Sequence, residues 1–302
     1  MTEKHQTGAI WATMRQPNYC RYIIGNGLSL IGTWMQRIAV GWLTWELTRS
    51  PTWLGIIAMA DFFPVVFMGP LGGVLADRHS RILIMILSQI GAAACALAMF
   101  ALSMSGALTE WHLAIFTFLT GIALGLNQAS RLALAPSLVP HECLTTAIAI
   151  NSMVFNGARF VGPMISTAVI SLWSNHISFL INAFSYTALI IALLSLNIER
   201  RQSRGTDEHA RSIAGDVMEG VGFIKNHKPA RLVIIVMTMA ALCIRPVVDL
   251  LPGLTSDVFS KGADEFAVLT ASFGIGAIFG GFWMARRGGI EDQASVALLG
   301  VI

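Results

Sequence analysis

Gly72-Gly73-Val74-Leu75-Ala76-Asp77-Arg78-His79-Ser80-Arg81 stands between two apolar segments, each long enough to cross a bilayer. Such a short charged stretch reads as a tight hairpin between two membrane helices. The glycines are expected to let the helix end pack closely on its neighbour. One acid among two arginines suits a surface contact that makes and breaks.

The rest of the chain has the composition of a membrane protein. Its 302 residues are 55% hydrophobic and only 12% charged, with a mean hydropathy of +0.66. Soluble domains carry about 25% charged residues, so the apolar excess is too large for a globular core. A hydrocarbon layer of about 30 Å requires about 20 apolar residues per helix. By that measure spans fall near 22–46, 52–76, 82–105, 111–131, 145–172, 175–197, 231–256 and 265–285, with a ninth opening near 294. Backbone polar groups cannot stay unpaired in lipid, so each span is expected to be a helix and the fold an all-α membrane protein. The longest loop divides the chain into a six-helix bundle (1–197), a linker (198–230) and a partial second bundle (231–302). In the linker Val217, Val221 and Ile224 recur at helical spacing beside Asp216, Glu219 and Lys225, the pattern of an interfacial amphipathic helix. The chain stops inside an apolar run, as expected of a fragment or a truncated reading frame.

Basic residues orient the spans. With the N-terminus inside, fifteen of the 20 Lys and Arg fall on inner segments and only Arg49 and Lys261 on outer loops. A multi-pass protein of the cell inner membrane with a cytoplasmic N-terminus is the expectation. The net charge of +3 does not suggest a nucleic-acid partner. Cys20, Cys95, Cys143 and Cys243 form no C-x-x-C pair, so neither a disulfide framework nor a metal site is supported. No G-x-x-x-x-G-K-[ST] occurs, so ATP does not drive this chain through its own site. H-E-x-x-H and Ser–His arrangements are also missing from the spans, which argues against an enzyme, and no cofactor is expected.

Ionisable residues inside spans are costly and face a pathway or a partner. Five qualify: Arg37, Asp61, Arg159, Arg245 and Asp249. Arg37 and Asp61 each lie about nine residues, or roughly 14 Å, from the outer ends of adjacent antiparallel helices, so they can pair. That pair either fixes the helices or takes part in coupling. Arg245 and Asp249 are four apart on one face of the seventh span. Asn26, Ser29, Thr33 and Arg37 form a polar stripe on the first span; Ser152, Asn156, Arg159, Pro163 and Ser166 form another on the fifth. Both stripes suit a cavity lining or polar packing between helices. Trp34, Trp42, Trp45, Trp53, Trp111 and Trp173 read as an aromatic belt, and Arg131 and Glu142 as interfacial anchors.

Gly73, Asp77, Arg78 and Arg81 resemble the loop motif between helices two and three of the major facilitator superfamily. Within it the chain is similar to the drug and siderophore exporters of the enterobactin-exporter type. Asn127–Arg131 through Pro136 to Glu142 looks like that subgroup's loop between helices four and five. Asn151–Pro163 looks like its fifth helix and Phe179–Ala183 like its sixth. Leu250-Leu251-Pro252 and Phe273–Ala277 continue the match. The resemblance implies a major facilitator fold, here a complete N-terminal six-helix bundle plus the first helices of the C-terminal one. It implies a secondary active exporter of a small amphiphilic molecule, working by alternating access, with protons as coupling ion and a monomer as the working unit. Asp77 and its arginines would form a conformational latch that meets the start of helix eleven. Gly162 and Pro163 keep the antiporter-like motif of helix five. Thr117 stands where proton-coupled members often carry an arginine, and Ala285 replaces the aspartate of the second-half loop motif. The competing reading is a truncated, non-transporting membrane protein.

Overall fold

The computed structural model describes residues 10–197 and 250–259, with isolated positions 222, 227, 231, 232, 235, 265, 268, 269 and 272. Six long helices account for most of this: α1 (Pro17–Thr48), α2 (Pro51–Arg78), α3 (Arg81–Met104), α4 (Glu110–Ser137), α5 (Leu144–Leu172) and α6 (Asn175–Leu194). No strand occurs among the described residues. Five of the six helices are both long and apolar enough to cross a membrane. The exception is α1, which is long enough but carries Asn18, Arg21, Asn26, Gln36 and Arg37 along its length.

Local chemistry sets the ends. Pro17 and Pro51 occupy first-turn positions of α1 and α2, where the missing N–H costs nothing. Arg49 closes α1 in the left-handed region at φ 48°, which turns the chain directly into α2. Thr109 caps α4: its hydroxyl accepts the His112 N–H while the His112 ring accepts the Thr109 N–H. Pro64, Pro70, Pro136 and Pro163 lie inside their helices, which continue through them.

Two expectations need correction here. The α2–α3 connection is only His79 and Ser80, both extended, so Arg78 and the Asp77 backbone belong to the last turn of α2. A cation there suits the negative end of the helix dipole. Close approach is made by Gly72, whose added Cβ would stand 2.6 Å from the Leu126 carbonyl oxygen; Gly73 faces open space. Helix α4 also runs on to Ser137, so Asn127–Pro136 is helical and not a loop.

The helices pack in a pattern that repeats. Helix α1 lies against α5 and α6 as α4 lies against α2 and α3, and α3 packs on α6 across the middle. This is the arrangement of two three-helix repeats. Antiparallel pairing of α1 and α6 is fixed at both ends. Arg21 donates to the Ser195 carbonyl at 2.9 Å, and Asn175 donates to Glu46 at 3.2 Å. One apolar cluster, with Tyr19, Tyr22, Met85, Leu189 and Leu193, fills the end carrying the α2–α3 hairpin. Another, with Val40, Ile57, Met99, Leu113 and Phe179, fills the opposite end.

The chain forms two compact units, residues 1–198 with 250–274 and residues 199–249 with 275–302. In the first unit a short helical turn (Leu251–Gly253) and a π-helical turn (Leu254–Val258) sit on α1. Gly253 lies against the Trp45 ring, and Arg49 donates to Ser256 at 2.8 Å. The expected linker helix is described only at Gly222 and the expected ninth span not at all; the rest of both lies outside the described residues.

Candidate functional site

Side chains from four helices meet within the bundle. On α1, Trp34 and Arg37 are three residues apart and share a face. The Arg37 guanidinium lies over the Trp34 ring, 4.6 Å from its centroid. The same arginine forms an ion pair with Asp61 of α2. The pair is neither sealed nor fully open: the two side chains are 31% and 18% exposed. An ion pair at this depth joins α1 to α2 electrostatically, and breaking it leaves a charge poorly solvated.

Helix α5 supplies the second half of the site. Phe155 and Arg159 are four apart, and both reach Trp34. Phe155 meets it edge-on, with centroids 6.2 Å apart and planes at 75°. The Arg159 guanidinium stands 5.4 Å from the Trp34 ring centroid. This contact depends on Gly162, which is buried against α1. A Cβ added there would lie 2.5 Å from the Trp34 Cβ and 2.9 Å from the Ile31 carbonyl oxygen. Pro163 is buried beside it, and its carbonyl accepts the Thr167 hydroxyl at 2.7 Å.

Helix α4 completes the set. Arg131 lies 5.4 Å from the Phe155 ring centroid and donates to Gln128 at 2.8 Å. The series thus runs Arg131, Phe155, Trp34, then Arg159 and Arg37, ending on Asp61. Counted along each helix at about 1.5 Å per residue, Arg37 and Asp61 sit roughly 16 and 15 Å from the end opposite the α2–α3 hairpin. Arg159 lies roughly 20 Å and Arg131 roughly 32 Å from that end. Cations over aromatic faces contribute about 0.5–1 kcal/mol when exposed and about 2 when desolvated.

The other sequence candidates separate into groups. Asn26 is buried, 3.5 Å from Asn151, and Ser29 donates to buried Gln89 at 3.1 Å. Thr33 donates to the Ser29 carbonyl at 2.8 Å, and its hydroxyl lies 3.3 Å from the Tyr186 hydroxyl. The part of the α1 stripe nearer the hairpin end is therefore polar packing between helices, while Arg37 alone joins the site. Asn156 is exposed and donates to the Ser152 carbonyl of its own helix. Thr117 is buried on α4, and its hydroxyl has no partner among the described residues. Arg78 and Arg81 are exposed at the hairpin, Gly73 beside them faces open space, and the Asp77 side chain, Arg245 and Asp249 lie outside the described residues.

Two assignments change. Trp34 belongs to the site, and Trp42 and Trp45 are buried, so the belt reading fits only part of the set: Trp111 and Trp173 are exposed, and Trp53 stacks edge-on with Trp111 at 4.9 Å. Arg131 is an internal residue of α4, which extends past it, and lies within a helix instead of the expected loop. The spacings W-x-x-R at Trp34–Arg37 and F-x-x-x-R at Phe155–Arg159 were the available signals for the aromatic members.

A two-repeat helical membrane bundle with ionised side chains gathered inside it defines a polytopic transporter, not an enzyme. The chain belongs to the transmembrane secretion effector family of major facilitator transporters, whose family model matches residues 8–301. It is similar to macrolide efflux protein A of Streptococcus pyogenes, at 24% identity over 92% of this chain and 69% of that protein. An uncharacterized MFS-type transporter, YfiS, of Bacillus subtilis is 27% identical over 66% of this chain and 47% of its own length. The staphyloferrin A transporter of Staphylococcus aureus is 23% identical over 83% of this chain and 62% of its own. The drug and siderophore exporter type of the major facilitator superfamily is thus where the chain falls, as a multi-pass membrane protein acting on a small molecule.

Proposed function

We propose that this protein is a secondary active exporter that moves a small amphiphilic molecule, such as a drug or siderophore, outward by alternating access coupled to protons. The observation that carries the reading is the Arg37–Asp61 ion pair inside the bundle, held between α1 and α2 and continuous with the aromatic faces of Trp34 and Phe155. In this proposal the carboxylate serves in two conditions. Ionised, it locks Arg37; protonated, it releases Arg37 to other partners. That exchange links a proton to the arrangement of the first two helices. Two relatives are named for macrolide efflux and for staphyloferrin A transport, in keeping with a small-molecule cargo for this chain.

In this reading the α2–α3 hairpin faces the cytoplasm, the N-terminus lies on the same side of the cell inner membrane, and a monomer is the working unit. Asp61→Asn tests it. The neutral amide keeps the shape of the side chain but removes both the charge and the titration. Efflux of a transported macrolide or siderophore by cells expressing the full chain is expected to fall at least about tenfold, with the protein still in the membrane. Unchanged efflux would remove Asp61 from the mechanism.

A further inference from the structure

Resting on the exporter reading, we propose that the carried molecule is an amphiphilic anion, a carboxylate or sulfonate borne on an aromatic body. Three guanidiniums gather around the two rings, and among the described residues one carboxylate answers them. Asp61 is paired with Arg37. Arg159 and Arg131 have no carboxylate partner among the described residues: Arg159 contacts the Trp34 ring, and Arg131 contacts the neutral Gln128 side chain and the Phe155 ring. Two cations inside a membrane bundle with no counter-charge among the described residues are costly, and an anion that enters with the substrate relieves that cost.

The geometry is as selective as the charge. Arg159 is exposed and Trp34 only partly covered, so the guanidinium edge and the ring beside it are both accessible. A planar guanidinium offers paired N–H donors that match a carboxylate. The adjoining aromatic faces accept a flat apolar body by stacking. Arg131, Arg159 and Arg37 also succeed one another from roughly 32 to roughly 16 Å below the end opposite the hairpin, so an anion meets a cation at each stage of its passage. The same series repels a cationic amphiphile, which is discrimination by an unfavourable contact as well as a favourable one.

Three ligands that share one naphthyl body and differ in charge test this: anionic 2-naphthoate, neutral 2-naphthamide and cationic 2-naphthylmethylammonium. Each is titrated calorimetrically into the full chain in lipid nanodiscs, with empty nanodiscs as the blank. Saturable 2-naphthoate binding at least about tenfold tighter than the amide, with none for the ammonium, is expected. Arg159→Gln is expected to weaken 2-naphthoate about tenfold while leaving the amide within about twofold, and Arg159→Lys to fall between. Because the comparison among ligands uses the unaltered chain, it stands even where a variant fails to fold. Ammonium binding equal to or tighter than naphthoate would overturn the proposal. So would absent naphthoate binding alongside intact, Asp61-dependent efflux, which would leave the exporter reading in place. Naphthoate binding as expected, with no efflux of any compound by the unaltered chain, would instead overturn the exporter reading and uphold the anion site.

Discussion

Trp34 shows how one residue in a membrane helix can organise several others. Its ring carries Arg37 on one contact and Arg159 on another, and Phe155 meets its edge. Replacing it with leucine keeps an apolar side chain, though a smaller one, and removes the ring that both guanidiniums face. Trp34→Leu is expected to raise the substrate concentration for half-maximal transport several-fold, since each lost cation–ring contact is worth about 0.5–1 kcal/mol. A transport assay at varied substrate concentration checks this, and an unaltered half-saturation would argue against it. At this scale the sequence was readable where depth alone decides a contact. Arg37 and Asp61 lie equally deep on neighbouring helices, and they meet. Asn26 and Thr33 fall on the same stripe as Arg37, yet they turn into Asn151, Tyr186 and the α1–α6 packing. Periodicity gives the face a residue occupies. Which neighbour covers that face depends on the rotation of a second helix, and no single helix encodes that.

Elements were legible to the extent that apolar length specifies them. The six helices stand where apolar runs place them, because a bilayer leaves the backbone no other satisfied conformation. Their ends were less so. Asn127–Pro136 carries polar residues and a proline, which suggest a loop, but α4 continues through it because Asn127, Ser130 and Leu134 are buried against neighbouring helices. Close packing between elements turns on single small residues. Gly162 lets α5 lie on α1 near enough for Phe155 and Arg159 to reach Trp34. Gly162→Val would drive branched methyls into the α1 backbone, and overpacking of this kind costs about 1–3 kcal/mol. The variant is expected to unfold at lower temperature in detergent than Gly157→Ala, because Gly157 faces open space. Equal melting of the two would contradict the close-approach account.

Over the whole molecule, two three-helix repeats surround a set of charges that is strongly unbalanced toward arginine among the described residues. The ion pair joins α1 to α2 inside that set. An account in which Asp61 exchanges a proton for Arg37 makes substrate movement and proton movement one process. Proton movement is therefore the most direct thing to measure. The full chain is reconstituted in vesicles containing a pH-sensitive dye, and substrate is added on the side facing the α2–α3 hairpin. Substrate is expected to provoke proton flux in the opposite direction, and Asp61→Asn to abolish that flux. Substrate transport with no proton flux, or an equal flux from the asparagine variant, would contradict the account.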